Sequence, residues 1–310
     1  MLLVTVAVAA VFAVALKGFA TVGNLLSLVR NVSILGTLGL GMGVVVIGRG
    51  IDLAQVAILA SSSAVAIQLM NAGAPVWVAL LGALAVAIAI GVVNGAIIAF
   101  IEIPALFTTL ATAFVAYGLT RYVIKTMIVY PPVTATGFLY LGQGRPFGVP
   151  MPIIVFLVMA IAVHALLSRT SVGRFIYAHG DNGEAARLTG IAVRPLTIVE
   201  YTLSAVIAFV AGLMMAASTA SMNMLVVNGT LIFDVILVVV LGGVSLVGGR
   251  GSVLSVVVGT ALIGTLLNGL TILDLDNNVQ DVIKGFVLLG AIVLDNRLHP
   301  RDEETARQGD

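Results

Sequence analysis

The chain has no cysteine and very little charge: 15 Lys and Arg, 14 Asp and Glu and no Cys in 310 residues. Without thiols, disulfides and thiolate metal sites are excluded. The three lysines, Lys17, Lys125 and Lys284, each follow an apolar residue and never glycine. No phosphate loop of the Gly-x-x-x-x-Gly-Lys type is therefore present to hold ATP. His164, His179 and His299 are scattered, with no HExxH or other ligand spacing, and no GxSxG nucleophile turn occurs. A net charge of +1 offers nothing to nucleic acid. A membrane enzyme would need a polar catalytic cluster at one depth, and none is evident. No basic segment precedes the first apolar run, so a retained first helix is expected rather than a cleaved leader.

What the chain has instead is hydrocarbon. It is 60% hydrophobic and 9% charged, with a mean hydropathy of +1.17. So few charges cannot solvate the surface of a soluble domain. Ten apolar spans are readable, at 2–16, 31–47, 51–71, 75–100, 104–126, 150–167, 196–217, 230–247, 251–273 and 279–295. Several reach the length that crosses about 30 Å of hydrocarbon. Runs of this length, rich in Gly, Ala, Ser and Thr, describe a helix bundle and not the short alternating strands of a barrel. The fold class expected is an all-α polytopic membrane protein with a transmembrane domain over 1–295 and a tail over 296–310. Gly36, Gly39 and Gly43 share one helix face, and Gly91 and Gly95 form a small-xxx-small pair; both read as close helix contacts.

One polar island interrupts the lipid-like sequence. Ser168 to Pro195 carries Arg169, Arg174, Arg187 and Arg194 against Asp181 and Glu184. The positive-inside rule places this segment in the cytoplasm. Alternation then puts both termini inside, in accord with Arg297, Arg301 and Arg307, although Lys17, Arg30, Lys125 and Arg145 fall outside. Tyr130–Pro150 becomes the main external loop. The island separates two sets of four spans that run in opposite senses, the arrangement of inverted-topology repeats.

Within the island, Gly180, Asp181, Asn182 and Gly183 precede a short helical stretch over Glu184–Thr189, which includes Ala185, Ala186 and Arg187 and is closed by Gly190. Asp or Asn at the N-cap and Gly at the C-terminus are ordinary helix punctuation. Two turns are not stable alone, so this helix needs something to pack against. Asp52 follows a glycine-rich break and reads as a cap on the third span or as a gate residue, with Arg49 as the expected ion partner. Glu102, Glu200, Asp234, Asp281 and Lys284 lie near span ends and read as anchors and caps, with Asp281 and Lys284 spaced to pair. Asp52, Gln55, Ser61, Asn94, Thr108, Thr109, Asn223 and Asn268 are the candidates for a polar route through the membrane. For any single one of them helix packing is the commoner role.

Four segments carry a family resemblance. IGRGIDLAQ (Ile47–Gln55), IPALFTTLATAFVAYGL (Ile103–Leu119), SVGRFIYAHGDNGEAARLTGI (Ser171–Ile191) and VVVLGGVSLVGGRGS (Val238–Ser252), in that order, resemble the ribose-type permeases of ABC importers. That family also includes xylose, arabinose and galactose permeases and, more distantly, branched-chain amino acid permeases. The resemblance implies a permease subunit without an ATPase of its own, in a bacterial inner membrane, working as a pair. It implies three partners: an ATP-binding subunit that holds ATP and Mg, an extracytoplasmic solute-binding protein, and a second permease copy. It also implies that the helix at 184–189 is the coupling helix, and that the solute is a monosaccharide or a related polyol. A nucleoside, an autoinducer or an amino acid is the alternative solute, and an ion-coupled carrier the alternative class. The chain departs from the family pattern at the first break. Arg49 stands where the first of two glycines is usual, and Ala54, Gln55 and Val56 stand where serine, a small apolar residue and glycine are usual.

Overall fold

A computed structural model describes residues 1–298; the tail at 299–310, with Arg301, Arg307 and His299, lies outside them. Thirteen α-helices run α1 (Leu2–Ala15), α2 (Val22–Ile47), α3 (Gln55–Asn71), α4 (Val76–Ala96), α5 (Ala105–Ile124), α6 (Thr136–Gln143), α7 (Met151–Arg169), α8 (Ser171–Asp181), α9 (Gly183–Leu188), α10 (Val193–Thr219), α11 (Leu231–Gly242), α12 (Val253–Ile272) and α13 (Asn277–Leu298). Each of the ten apolar spans contains a helix, although the third becomes helical only at Gln55 and the eighth ends at Gly242. Five of the segments they form are long and apolar enough to cross a membrane by length and composition alone: α2, α4 with its π-helical extension Ile97–Ile101, α7, α10 and α12. The structure is an all-α polytopic bundle.

The core forms around α2 and α10. From Ser33 to Ile47 every residue of α2 is buried, and α10 is buried along most of its length. The packing repeats in two halves. α4 lies on α10 as α12 lies on α2, and α3 touches α10 as α11 touches α2. α3 packs with α4 and α5, and α11 packs with α12 and α13.

Opposite senses follow from where the helix ends meet. The carbonyl of Ile47, closing α2, accepts from Gly249 N–H at 2.8 Å, in the turn before α12. Glu102, after α4, pairs with Arg194 at the start of α10 at 3.2 Å. One face thus holds the ends of α2 and α4 and the beginnings of α10 and α12. At the other face Thr230, before α11, meets Asp281 and Lys284 near the start of α13, and Asn71, closing α3, meets Tyr130. Helices second to fifth and seventh to tenth of the ten spans therefore form an inverted pair of four-helix units.

The glycine faces are contacts within this one chain. Gly36, Gly39 and Gly43 face Phe156, Thr260, Val238 and Val256. Gly91 and Gly95 let the backbone of α4 approach the backbone of α10 at Tyr201 and Ile198, where a Cβ would have no room. Outward, Trp77, Phe107, Phe114, Leu119 and Phe286 are exposed, as hydrocarbon solvent requires. The expected external loop at 130–150 is partly structured. It contains α6, which packs on α10, and Ile128–Val129 (β1) pairs antiparallel with Met222–Asn223 (β2).

Candidate coupling surface and polar break

The polar island is not one loop with a short helix. Thr170 caps α8 by accepting from Gly173 N–H at 3.2 Å, so Gly180 and Asp181 belong to α8 and do not precede a free helix. The reason is amphipathicity: Gly173, Ile176 and Gly180 fall on one face and are buried. Gly180 lies against the Ile47 carbonyl and Gly249, and Tyr177 donates its hydroxyl to the Gly251 carbonyl at 2.8 Å. α8 is thereby docked on the end of α2 and on the turn between α11 and α12.

Asn182 then caps α9, accepting from Ala185 N–H at 2.9 Å. Gly190, at φ +89°, ends the turn as a C-terminal glycine does. Of α9 only Ala186 is buried. Glu184, Ala185, Arg187 and Thr189 are exposed, and so is Leu188 at 87%. Leu188 escapes a sequence reading because its neighbours are polar; the signal was a single large apolar side chain on a hydrophilic helix. An exposed leucine directly after Arg187 and one turn on from Glu184 gives this rigidly mounted helix both a charged and an apolar surface.

Behind this surface lies the break between α2 and α3. Asp52 is fully buried. Its Oδ2 accepts from Ser204 Oγ at 2.7 Å and its Oδ1 from Ala54 N–H at 3.0 Å. The nitrogen of Gln55 donates to Ser204 Oγ at 2.8 Å, and Leu53 N–H donates to Thr109 Oγ1 at 3.1 Å. Asp52 thus satisfies an amide at the opening of α3 and also ties the break to α10.

The expected pairing with Arg49 is not formed. Arg49 sits at φ 69° in left-handed backbone, is exposed, and has no ion pair among the described residues. Asp52 points instead at α10, where the neutral Ser204 hydroxyl meets Oδ2, while Ala54 N–H at the opening of α3 meets Oδ1. Ser204 and Tyr201 were missed as members of this site. Their signal was the polar run Glu200-Tyr201-Thr202 with Ser204, inside an otherwise apolar span.

The remaining polar candidates are dispersed. Ser61 donates to the Ala116 carbonyl at 3.3 Å, Asn94 accepts from Thr112, and Thr108 reaches the Ile103 carbonyl at 3.5 Å; all three lie among α3, α4 and α5. Asn268 and Asn24 exchange amide hydrogen bonds at 2.9 and 3.0 Å, joining α12 to α2. Asn223 caps a 3-10 turn by accepting from Leu225 N–H at 3.0 Å. The structure brings Asp52, Gln55 and Thr109 together, and holds Asn223 and Asn268 apart from them.

A cavity of about 960 Å³ opens between α9, the start of α10, the corner between α4 and α5, and the end of α2. Arg49, His179, Arg187, Arg194, Glu200 and Tyr201 are among its lining residues. Glu200, expected as an anchor near a span end, is only 2% exposed, with a buried Oε1 that has no hydrogen-bond partner. Burial, aided by the Arg49 guanidinium, holds His179 below the ordinary histidine value. Among the described residues no group of three His, Asp or Glu is placed to hold a metal ion.

Residues 24–292 match the family described as branched-chain amino acid transport system / permease component. The chain belongs to that permease family. The ribose import permease protein of Escherichia coli (strain K12) is 34% identical over 281 residues, covering 90% of this chain and 87% of the relative. That of Bacillus subtilis (strain 168) is 36% identical over 274 residues, covering 88% and 85%. The L-arabinose transport system permease protein of Escherichia coli (strain K12) is 32% identical over 284 residues, covering 91% and 85%. No solved structure matches. The permease is a multi-pass inner-membrane transport subunit, not an enzyme.

Proposed function

We propose that this permease forms the translocation pathway of an ATP-driven importer for a monosaccharide or a related polyol. The observation that carries the reading is the rigid mounting of α9. A six-residue helix with only Ala186 buried is held at a fixed position by α8, which is itself docked on the end of α2 and the turn before α12. A helix so short is not stable alone. Its exposed Glu184, Arg187 and Leu188 fit a groove on an ATP-binding subunit that holds ATP and Mg, and the arginines of the 168–195 segment favour the cytoplasmic side for it.

On this reading both termini are cytoplasmic, and a solute-binding protein delivers cargo to the opposite face. A second permease copy covers part of the exposed apolar surface. Nucleotide-driven closure moves α8 and α9 as a body and, through α10, shifts the inverted halves against each other. The sugar assignment rests on the relatives, which are permeases for ribose and L-arabinose.

The test is reconstitution with the neighbouring ATP-binding subunit and binding protein. Glu184→Ala and Arg187→Ala are expected to abolish co-purification of the ATPase and ATP-dependent uptake of ribose or arabinose. Uptake that persists without an ATPase and follows a proton gradient would overturn the reading.

A further inference from the structure

Two groups on the wall of the 960 Å³ cavity are complementary and unpaired. Glu200 is buried, and among the described residues neither of its carboxylate oxygens has a hydrogen-bond or ion partner. Arg49 carries a guanidinium with no acceptor among them. A buried carboxylate without a counter-charge is costly, and the cost is relieved by any cation that reaches it.

The chain path favours Arg49 as that cation. Gly48 lies directly on the Glu200 carboxyl group, where a Cβ would stand 2.6 Å from Oε2, and Arg49 is the next residue. Arg194 is already engaged, with Glu102 at 3.2 Å and over the Phe100 ring at 5.6 Å. Arg187 lines the cavity from α9, a different element from the one that carries Gly48 and Arg49, with Glu184 three residues before it on the same helix. Arg49 also holds left-handed backbone, which disfavours every residue with a side chain. A glycine would sit there without strain, so the arginine costs stability in this state.

We infer that Arg49 and Glu200 are a switchable ion pair, held apart here and joined when the cavity closes during transport. The inference rests on the coupling role of α9 argued above. The cavity lies between α9 and α10, so a shift of the coupling unit toward the bundle narrows it. Closure expels water from around Glu200 and draws the neighbouring guanidinium inward. The pair then adds a directional restraint between the end of α2 and α10, the two central helices. Both residues are positioning residues for the transport step and need not touch the solute.

The experiment is a double-mutant cycle on ATP-driven uptake in reconstituted vesicles, with Arg49→Gln, Glu200→Gln and both together. Partners that act as a unit are not additive. Each single change is expected to lower uptake about tenfold, and the double change also about tenfold rather than about a hundredfold. Multiplicative losses, or singles that leave uptake unchanged, would overturn the pairing. If Glu200→Gln does not accumulate in the membrane, Arg49→Lys decides. Recovery to within about twofold of the unsubstituted chain supports an ion pair, and a lysine no better than glutamine overturns it. Unsubstituted vesicles that show no ATP-driven uptake at all would overturn the importer reading and this one with it.

Discussion

Ser204 Oγ donates to Asp52 Oδ2 at 2.7 Å, 152 residues away in sequence, and so fastens the break between α2 and α3 to the middle of α10. The same hydroxyl accepts from Gln55 at 2.8 Å. Ser204→Ala removes the donor to Asp52 Oδ2 and leaves that buried oxygen unmet, and it leaves the Gln55 amide only its longer contact to the Leu38 carbonyl at 3.4 Å. A loss of about 1–3 kcal/mol is expected from such unmet groups. Asp52→Asn is expected to cost less, because the amide still accepts from Ala54 N–H and no longer carries a charge. Thermal unfolding of the purified permease checks the order. Equal melting temperatures for the unsubstituted and Ser204→Ala chains would show that the contact contributes nothing.

Gly180 bears on how α8 is held. A Cβ there would run into the Ile47 carbonyl and the Gly249 amide, which are backbone groups and cannot swing aside. Gly180→Ala is therefore expected to lift α8 from the end of α2 and to raise amide exchange across residues 171–181. Gly190→Ala makes a useful contrast. No atom lies within 4 Å of a Cβ at that position, and its φ of +89° costs only about 1 kcal/mol of local strain. Exchange that is unchanged in Gly180→Ala would refute the docking.

His179 makes that docking sensitive to pH. Burial first, and then the Arg49 charge, hold its folded value below the ordinary 6.5, and its Nδ1 is buried without a partner. The unfolded segment therefore binds more protons than the folded one once the pH drops below about 6.5. Stability rises with pH wherever the unfolded state binds more protons. The packing of α8 is thus full above 6.5 and weakens as the pH falls through 6.5 toward the lowered folded value. The protection of residues 171–181 against amide exchange, referred to the intrinsic exchange rate at each pH, should fall between pH 7.5 and pH 5.5, and His179→Gln should flatten that dependence.

The spans and the opposite senses of the two halves were legible in the sequence because hydrocarbon imposes long apolar runs, and because one polar segment separates two sets of four. The Asn182 cap and the Gly190 stop were legible for the same kind of local reason. Long-range pairing was not. Nothing near Asp52 in sequence points to Ser204, and the nearby Arg49 was the obvious partner. The left-handed turn at Arg49 and the inward path of the chain after it decided otherwise. Glu200 looked like an anchor because it lies only two turns into α10. Depth along a helix does not report the neighbours that bury it, which here include the glycine turn closing α2.

Lys284 offers the sharpest separation of buried from exposed charge. Its ammonium lies 3.3 Å from Asp234 and 2.8 Å from Asp281, joining α13 to α11. The Asp234 side chain is only 12% exposed and that of Asp281 42%. Lys284→Met strands a buried carboxylate and is expected to cost about 3–5 kcal/mol, the range for breaking a buried pair from one side. Asp281→Ala removes only a solvated contact and is expected to cost under about 1 kcal/mol. Adding Asp234→Leu to Lys284→Met should recover most of the loss, since the stranded charge goes with it. Melting temperatures of the four chains give the comparison. If the double change is no better than Lys284→Met, the lysine braces α13 by its length and not by its charge.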